Sequence, residues 1–331
     1  MINYTSTDVI VAPDGKWLDY ETVLPLHTIR VRMKEGTSPS FGQSYSSRFT
    51  VYPVSTRLNI YDIYTSLNNW SFMLTDSYGF NYLDLLEVLD CNIKGNGNNL
   101  QDVTNFRCML QACSNLTSVH FGDTSSVTRT DNLFLYCSSL TNVYWFDTSN
   151  VTNMNGMFFD CYDITVVPDF DTSSVVTMNG MFTGCSGLVD VPNMNTSNVT
   201  DMGGLFSECT SLTEVPNLDT SNVTNMRDMF GKCTNIESIP LFDTSNVVNF
   251  YQMCYECDSL KHVPLFDTSS AEDTRMMFFR CYNVESGALA LYNQASSQAV
   301  PPANHDDMFY NCGWNTTTGF AELSQIPSDW K

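Results

Sequence analysis

The sequence is poor in positive charge. Its 331 residues carry 15 Lys and Arg against 36 Asp and Glu, which gives a formal net charge of −21. Nucleic-acid backbones and anionic membrane surfaces bind clusters of Lys and Arg. We therefore predict that neither is a partner of this protein.

Long apolar runs are also missing. No stretch approaches the roughly 18 apolar residues that a membrane-spanning helix needs, and the first thirty residues lack a basic region followed by an apolar one. The sequence thus predicts neither membrane insertion nor a signal peptide. Because a chain trimmed of its signal would look the same, export stays open.

Recognisable catalytic motifs are lacking as well. The four histidines are scattered, no Gly-x-Ser-x-Gly elbow occurs, and Gly95-Asn-Gly97 lacks the context of a dinucleotide loop. We predict no enzymatic activity, no catalytic residue and no cofactor.

The chain does contain a repeat of 24 residues. Its clearest mark is a series of cysteines at an unbroken interval: Cys113, Cys137, Cys161, Cys185, Cys209, Cys233, Cys257 and Cys281. A period of this length is typical of a solenoid, in which each unit buries its apolar side chains only by stacking on its neighbours.

Each unit divides into two halves. One half carries apolar residues at steps of three, three, one and three, which predicts a short helix; in one copy they are Val151, Met154, Met157, Phe158 and Cys161. The other half is a run of about four residues ending at a proline, as in Leu212 to Pro216. Because proline cannot donate to a ladder, this run predicts a very short strand.

These patterns predict an α/β solenoid, a leucine-rich-repeat-like stack of short parallel strands and short helices. The predicted domains are a β-rich segment 1–54, a solenoid 55–286 that is regular from about 113 to 281, and a capping segment 287–331. In the first, alternation predicts a strand over 27–34, with 48–52 as its partner. That segment is either a cap or a docking element. In the last, composition predicts a helix within 287–298.

We interpret the ladder cysteines as reduced, buried thiols. Equivalent residues on adjacent turns lie about 4.8 Å apart with parallel side chains, whereas a disulfide needs closer Cβ atoms that face each other. Cys254 and Cys257 have the spacing of a zinc or redox half-site. However, Cys257 belongs to the ladder and Cys254 takes the place of a phenylalanine in other copies, so we predict no metal site.

A second column is carboxylate-rich: Asp123, Asp147, Asp171, Asn195, Asp219, Asp243 and Asp267. Like charges stacked at this spacing repel. Turn and helix N–H groups would hold them, and a bound cation such as calcium is the alternative.

Residues that vary between turns are candidates for recognition. The exposed strand column and its neighbours contain the candidate ligand-binding residues Tyr144, Trp145, Asp190, Glu214 and His262. Flat aromatic rings suit a sugar or a protein hot spot, and the acids accept hydrogen bonds. Alternatively, Tyr144 and Trp145 only shield a turn that lacks the usual proline.

The consensus Cys-Ser-x-Leu-Thr-x-Val-Pro-x-Phe-Asp-Thr-Ser-Asn-Val-Thr-x-Met-x-x-Met-Phe resembles the BspA-like leucine-rich repeat surface proteins over residues 85 to 285. This resemblance implies an adhesion or host-recognition module, and similar arrays appear in bacteriophages of gut bacteria. Because the sequence predicts no signal peptide and its thiols suit a reducing compartment, we favour a virion protein, assembled in host cytoplasm, that contacts a host protein or glycan or another virion protein. The alternatives are a bacterial cell-surface adhesin and a purely structural virion decoration.

Overall fold

A computed structural model describes residues 104–121 and 124–331 in full, and before them the backbone of five strands. The chain divides into two compact units, Met1–Val151 and Thr152–Lys331. We describe each unit by itself. The domain borders predicted at residues 54 and 286 stay predictions.

The described part of the first unit contains one sheet whose seven strands follow one another in chain order. They are β1 (Val9–Val11), β2 (Trp17–Leu24), β3 (His27–Lys34), β4 (Ile60–Thr65), β5 (Val88–Asp90), β6 (Ser118–His120) and β7 (Asn142–Val143). Strands β1 to β4 pair antiparallel, and β4 to β7 pair parallel. The predicted strand over 27–34 is confirmed as β3. Its described partners are β2 and β4, and residues 48–52 lie outside the described part.

The predicted short helix in each repeat is wrong. Between residues 124 and 287 the structure contains no α-helix, and the segments expected to be helical, such as 155–160, are runs of consecutive turns. In one repeat, Phe159 N–H donates to the carbonyl three residues before it (3.1 Å), while Phe158 N–H donates to Met181 O in the next repeat (2.8 Å). This alternation recurs at equivalent positions within each unit.

Left-handed backbone explains why a helix cannot form. Each of these turn segments contains two residues of positive φ, four positions apart, such as Gly156 (57°) and Asp160 (57°). An α-helix needs right-handed φ throughout. The sequence signal was the frequent Gly, Asn and Asp at these positions, because these residue types tolerate positive φ.

The apolar face inferred from the same spacing is nevertheless correct. All five positions, from Val151 to Cys161, are fully buried. The phenylalanines stack from repeat to repeat: ring centroids are 5.7 Å apart for Phe158 and Phe182, and 5.8 Å for Phe182 and Phe206. The core of the second unit is therefore built from columns of identical side chains.

The second unit also departs from the predicted strands. At the proline-ended runs it forms only the isolated parallel bridge of His262 with Ser286, whereas a series of such bridges runs through another column: Asn153, Thr177, Asp201, Asn225, Asn249, Asp273 and Asn304. Proline explains the difference, because it supplies no N–H to a ladder. Where β6 and β7 form, the corresponding residues are His120 and Tyr144 instead.

The end of the second unit is helical. The expected helix within 287–298 is confirmed as α1 (Ala288–Ser296), and α2 (Thr317–Gln325) and a 3₁₀ turn (Ser328–Trp330) were not predicted. Phe309 N–H donates to Trp330 O (2.9 Å), in the place where earlier turn segments donate to the next repeat. The 3₁₀ turn thus provides the hydrogen-bond acceptor that a further repeat would provide for Phe309 N–H.

Replacing Gly180 by Val should destabilise the protein by about 1–2 kcal/mol, because Gly180 has a φ of 63° and left-handed backbone costs a β-branched residue about that much. A Cβ there meets no atom closer than 3.4 Å, so the cost is conformational. Gly180→Asn should cost less, since Asn tolerates this region. Chemical denaturation measures both, and equal losses would contradict the assigned backbone.

Replacing Phe206 by Ala should cost about 3–5 kcal/mol, because its fully buried ring stacks between Phe182 and Phe230 at 5.8 Å from each. Asn193→Ala, at an exposed position, should change stability by less than about 0.5 kcal/mol. Similar effects of the two changes in urea unfolding would show that the core is assigned wrongly.

Candidate binding surfaces

Tyr144 and Trp145 lie at the end of β7 in the first unit and are exposed. Their exposed fractions are 57% and 60%, whereas the next residue, Phe146, is buried. Tyr144 N–H donates to Val119 O (3.0 Å), and its ring lies 5.0 Å from that of His120. Phe146 therefore fills the core, and the two preceding rings are accessible to a ligand.

Asp190, Glu214 and His262 lie in the second unit, and all three are exposed. Nδ1 of His262 lies 2.9 Å from Oγ of Ser286. The regular ladder of short strands, which would align these residues on one surface, is missing here because of the prolines. The structure thus places the five candidate residues in two groups, one in each unit.

The carboxylate column is held by turn N–H groups, as the first interpretation predicts. In each described copy an Oδ1 accepts the N–H of the residue two positions on, at 2.8 to 3.2 Å. The Ser hydroxyl and N–H lower the pKa of Asp171, Asp219 and Asp243. Asn195 makes the same turn without a charge. Among the described residues no group of three or more His, Cys, Asp or Glu could hold a metal, and Asp123 lies outside them.

The ladder cysteines are buried free thiols, as predicted. Each ladder thiol from Cys185 to Cys281 donates to a backbone carbonyl 27 residues earlier, for example Cys209 to Phe182 O (3.1 Å). Burial raises the pKa of the Cys209 thiol well above its usual range. Cys254 takes the phenylalanine place, since its carbonyl accepts from Cys281 (2.9 Å) as Phe carbonyls do elsewhere.

A column of buried threonines was missed by sequence reasoning. In the second unit the hydroxyl of each one donates to the carbonyl of the Asp or Asn that begins the next turn, at 2.8 to 2.9 Å: Thr172, Thr196, Thr220 and Thr244. At the end of the column Gln298 Nε2 donates to Thr268 Oγ1 (2.8 Å). The sequence signal for this column was that threonine recurs at the same position of the repeat.

The turn segments at the end of the second unit carry a surface of rings and cations, which we call the turn-side surface. Tyr251 lies between two guanidinium groups, with Arg227 Cζ and Arg275 Cζ at 5.0 and 5.2 Å from its ring centroid. In a parallel column Tyr255 stacks on Phe279 (5.3 Å), and Phe279 on Tyr310 (4.9 Å). Sequence reasoning missed this stacked column of rings.

Ion pairs neutralise this surface. Lys232 Nζ lies 2.6 Å from Glu208 Oε1, and Arg280 Nη1 lies 3.1 Å from Glu256 Oε1. Arg227 and Arg275 pair in the same way with acidic neighbours, at 3.0 and 2.6 Å. Of the eight Lys and Arg after residue 103, these four lie together here. On this surface each of the four cations is thus paired with a carboxylate.

One family matches two overlapping stretches of the chain, residues 104–213 and 186–291. It is described as "Mycoplasma protein of unknown function, DUF285", and the two stretches together span more than half of the chain. The chain belongs to this family. The resemblance to BspA-like repeat proteins is thereby confirmed, whereas the bacteriophage type stays a prediction.

A solved structure of a leucine-rich repeat protein from Eubacterium ventriosum ATCC 27560 is similar to 63% of this chain, with 15% sequence identity and a TM-score of 0.30. The chain spans about half of that protein, 51%. Among curated protein sequences none matches significantly. In the described part of the chain no helix is long and apolar enough to cross a membrane.

Alkaline pH should destabilise the protein through its thiols. A buried thiol with a raised pKa, such as Cys209, stays protonated in the folded state. It ionises after unfolding at an ordinary pKa of about 8.5. Its stabilising contribution is therefore complete below that pH and declines above it, by about 1.4 kcal/mol per pH unit.

Cys209→Ala isolates one thiol. Under reducing conditions we expect this variant to be less stable than the parent near neutral pH because of the cavity, with the difference narrowing by about 1.4 kcal/mol per unit above about pH 9. Guanidinium unfolding at several pH values measures it. A difference that does not change with pH would contradict a raised thiol pKa.

Proposed function

We propose that this protein is a non-enzymatic recognition module. The observation that carries the proposal is the contrast between its buried and exposed columns. Buried positions repeat the same residue types, as in the stacked phenylalanines of the core, while the exposed strand column changes from Asp190 to Glu214 to His262. A constant interior leaves the surface free to vary for binding.

We place this module on a bacteriophage virion, where it contacts a protein or glycan of the host surface or another virion protein. Buried free thiols support this placement, because they suit a chain that folds in the reducing cytosol where virions assemble. A bacterial cell-surface adhesin and a structural decoration without a ligand are the alternatives.

Gold-labelled antibodies against the chain, applied to particles and cells of the source culture, distinguish these placements. Labelled particles support the virion, and labelled cell envelopes support the adhesin. Labelled particles whose attachment to host cells is unaffected by the purified chain would instead support decoration.

A triple substitution tests the strand-side candidates. Tyr144→Ser, Trp145→Ser and His262→Ser together should weaken attachment of the purified chain to host cells by about tenfold or more, because aromatic anchors carry a large share of binding energy. Each changes an exposed side chain, so the fold should persist, as circular dichroism would show.

The control is the pair Tyr136→Ser and Val300→Ser, which removes exposed apolar area elsewhere (47% and 79% exposed). The control should attach like the parent. Full attachment by the folded triple variant would contradict the strand-side assignment and move the site elsewhere.

A further inference from the structure

The stacked ring column of the turn-side surface stops at a glycine. Successive repeats place Ser207, Gly231, Tyr255, Phe279 and Tyr310 at one backbone position, because the N–H of each donates to the carbonyl three residues before it at 3.0 to 3.1 Å. The last three stack their rings. Gly231 holds the same backbone position without a ring, directly next to Tyr255.

Tyr255 thus has a ring on one side only, as far as the described residues show. Phe279 covers one face at 5.3 Å with planes 9° apart. The other face of the Tyr255 ring is directed toward Gly231, the equivalent residue of the preceding repeat, where one more ring would extend the stacked column. Gly231 itself is buried, so a flat ligand ring would stack on the outer part of the Tyr255 ring, beside the backbone at the level of Gly231.

Polar groups lie near Gly231. A Cβ built on Gly231 would lie 3.5 Å from Ser207 Oγ and 3.6 Å from Asp228 Oδ1. The next residue, Lys232, carries the ammonium group that pairs with Glu208. Ser207 Oγ donates to Gly231 O (3.3 Å). A hydroxyl, a carboxylate and the pair formed by Lys232 thus lie on residues at or next to Gly231, and together they can donate and accept further hydrogen bonds.

The electrostatics favour an uncharged, hydroxyl-rich ligand. Arg227 pairs with Asp228 (3.0 Å) and Lys232 with Glu208 (2.6 Å), so the level presents balanced charges. The paired groups keep further hydrogen-bonding positions, since an ammonium group has three N–H groups and a carboxylate about four acceptor sites, and sugar hydroxyls can bond to these positions. An acidic ligand would have to compete with the carboxylates already paired to the cations.

We infer that the turn-side surface around Gly231 and Tyr255 binds saccharides, with one uncharged pyranose ring stacked on Tyr255 and its hydroxyls bonded to Ser207, Asp228 and Lys232. This inference rests on the proposed recognition function and gives its ligand class. Tyr255 supplies the apolar platform for the C–H face of the sugar. Neighbouring repeats extend the surface toward Tyr251 and the two arginines for further sugar units.

Filling the level with a protein ring is the sharpest test. In Gly231→Phe the new ring should take the position that Phe279 has in its own repeat and block the sugar. The backbone allows it, since Gly231 has no positive φ and the nearest atom to an added Cβ lies 3.5 Å away. Gly231→Ala adds only a methyl group and leaves most of the space.

The matched control adds the same ring to the strand side of the same repeat. Asn217→Phe fits because Leu241 and Leu265, one and two repeats later, are large apolar side chains that stand exposed at 71% and 51%. Thermal unfolding of each variant checks the fold. Tyr255→Ser is a second variant that removes the platform instead of blocking it.

The probe is an array of defined neutral oligosaccharides built from glucose, galactose, mannose and N-acetylglucosamine, with sialylated and uronic-acid chains beside them. The parent should bind at least one neutral chain. Gly231→Phe and Tyr255→Ser should weaken that binding by about tenfold or more, whereas Gly231→Ala and Asn217→Phe should stay within about threefold of the parent.

Three results would overturn the inference. The first is equal sugar binding by the parent and Gly231→Phe, which would put the site elsewhere. The second is binding only to acidic chains, abolished by salt. The third is attachment to host cells without binding to any array sugar, in which case the recognition function stands and its ligand is not a saccharide. A parent chain that binds neither host cells nor any array sugar would count against the recognition function itself.

Discussion

The hydrogen bonds between repeats are the interaction on which the rest of the structure depends. In each turn segment, alternate N–H groups donate within the repeat and to the next repeat, as Phe159 and Phe158 do. Two left-handed residues per segment make this alternation geometrically feasible. About half of the backbone N–H groups in these turn segments are thus bonded only through a neighbouring repeat, which is why one unit cannot fold alone.

This backbone arrangement dictates the side-chain columns. Because equivalent residues meet at one backbone position in successive repeats, phenylalanine stacks on phenylalanine at 5.7 to 5.8 Å. For the same reason each ladder thiol bonds a carbonyl of the preceding repeat at about 3 Å. The buried threonines add a polar column whose hydroxyls are all bonded. A substitution in any one column acts on two neighbours at once.

The same stacking also orders the exposed side chains. Exposed columns bring residues from successive repeats together at fixed spacing, so a change in one residue type alters one point in an ordered row. On the turn side of the second unit this places Tyr255, Phe279 and Tyr310 in one stack and balances the nearby cations with carboxylates. On the strand side, proline prevents a regular ladder and the row is less ordered.

The sequence by itself determined the repeat, its 24-residue period, the buried face from Val151 to Cys161, the free thiols and the strand at 27–34. These follow from spacing and apolar pattern, which record burial directly. The helices expected inside the repeats do not exist, because steps of three and four describe a buried face without specifying the backbone that presents it. Only the tertiary structure decided that, since the left-handed residues are stable only when their N–H groups reach the next repeat. For the same reason, the stacked rings beside Gly231 became visible only once the register between repeats was known.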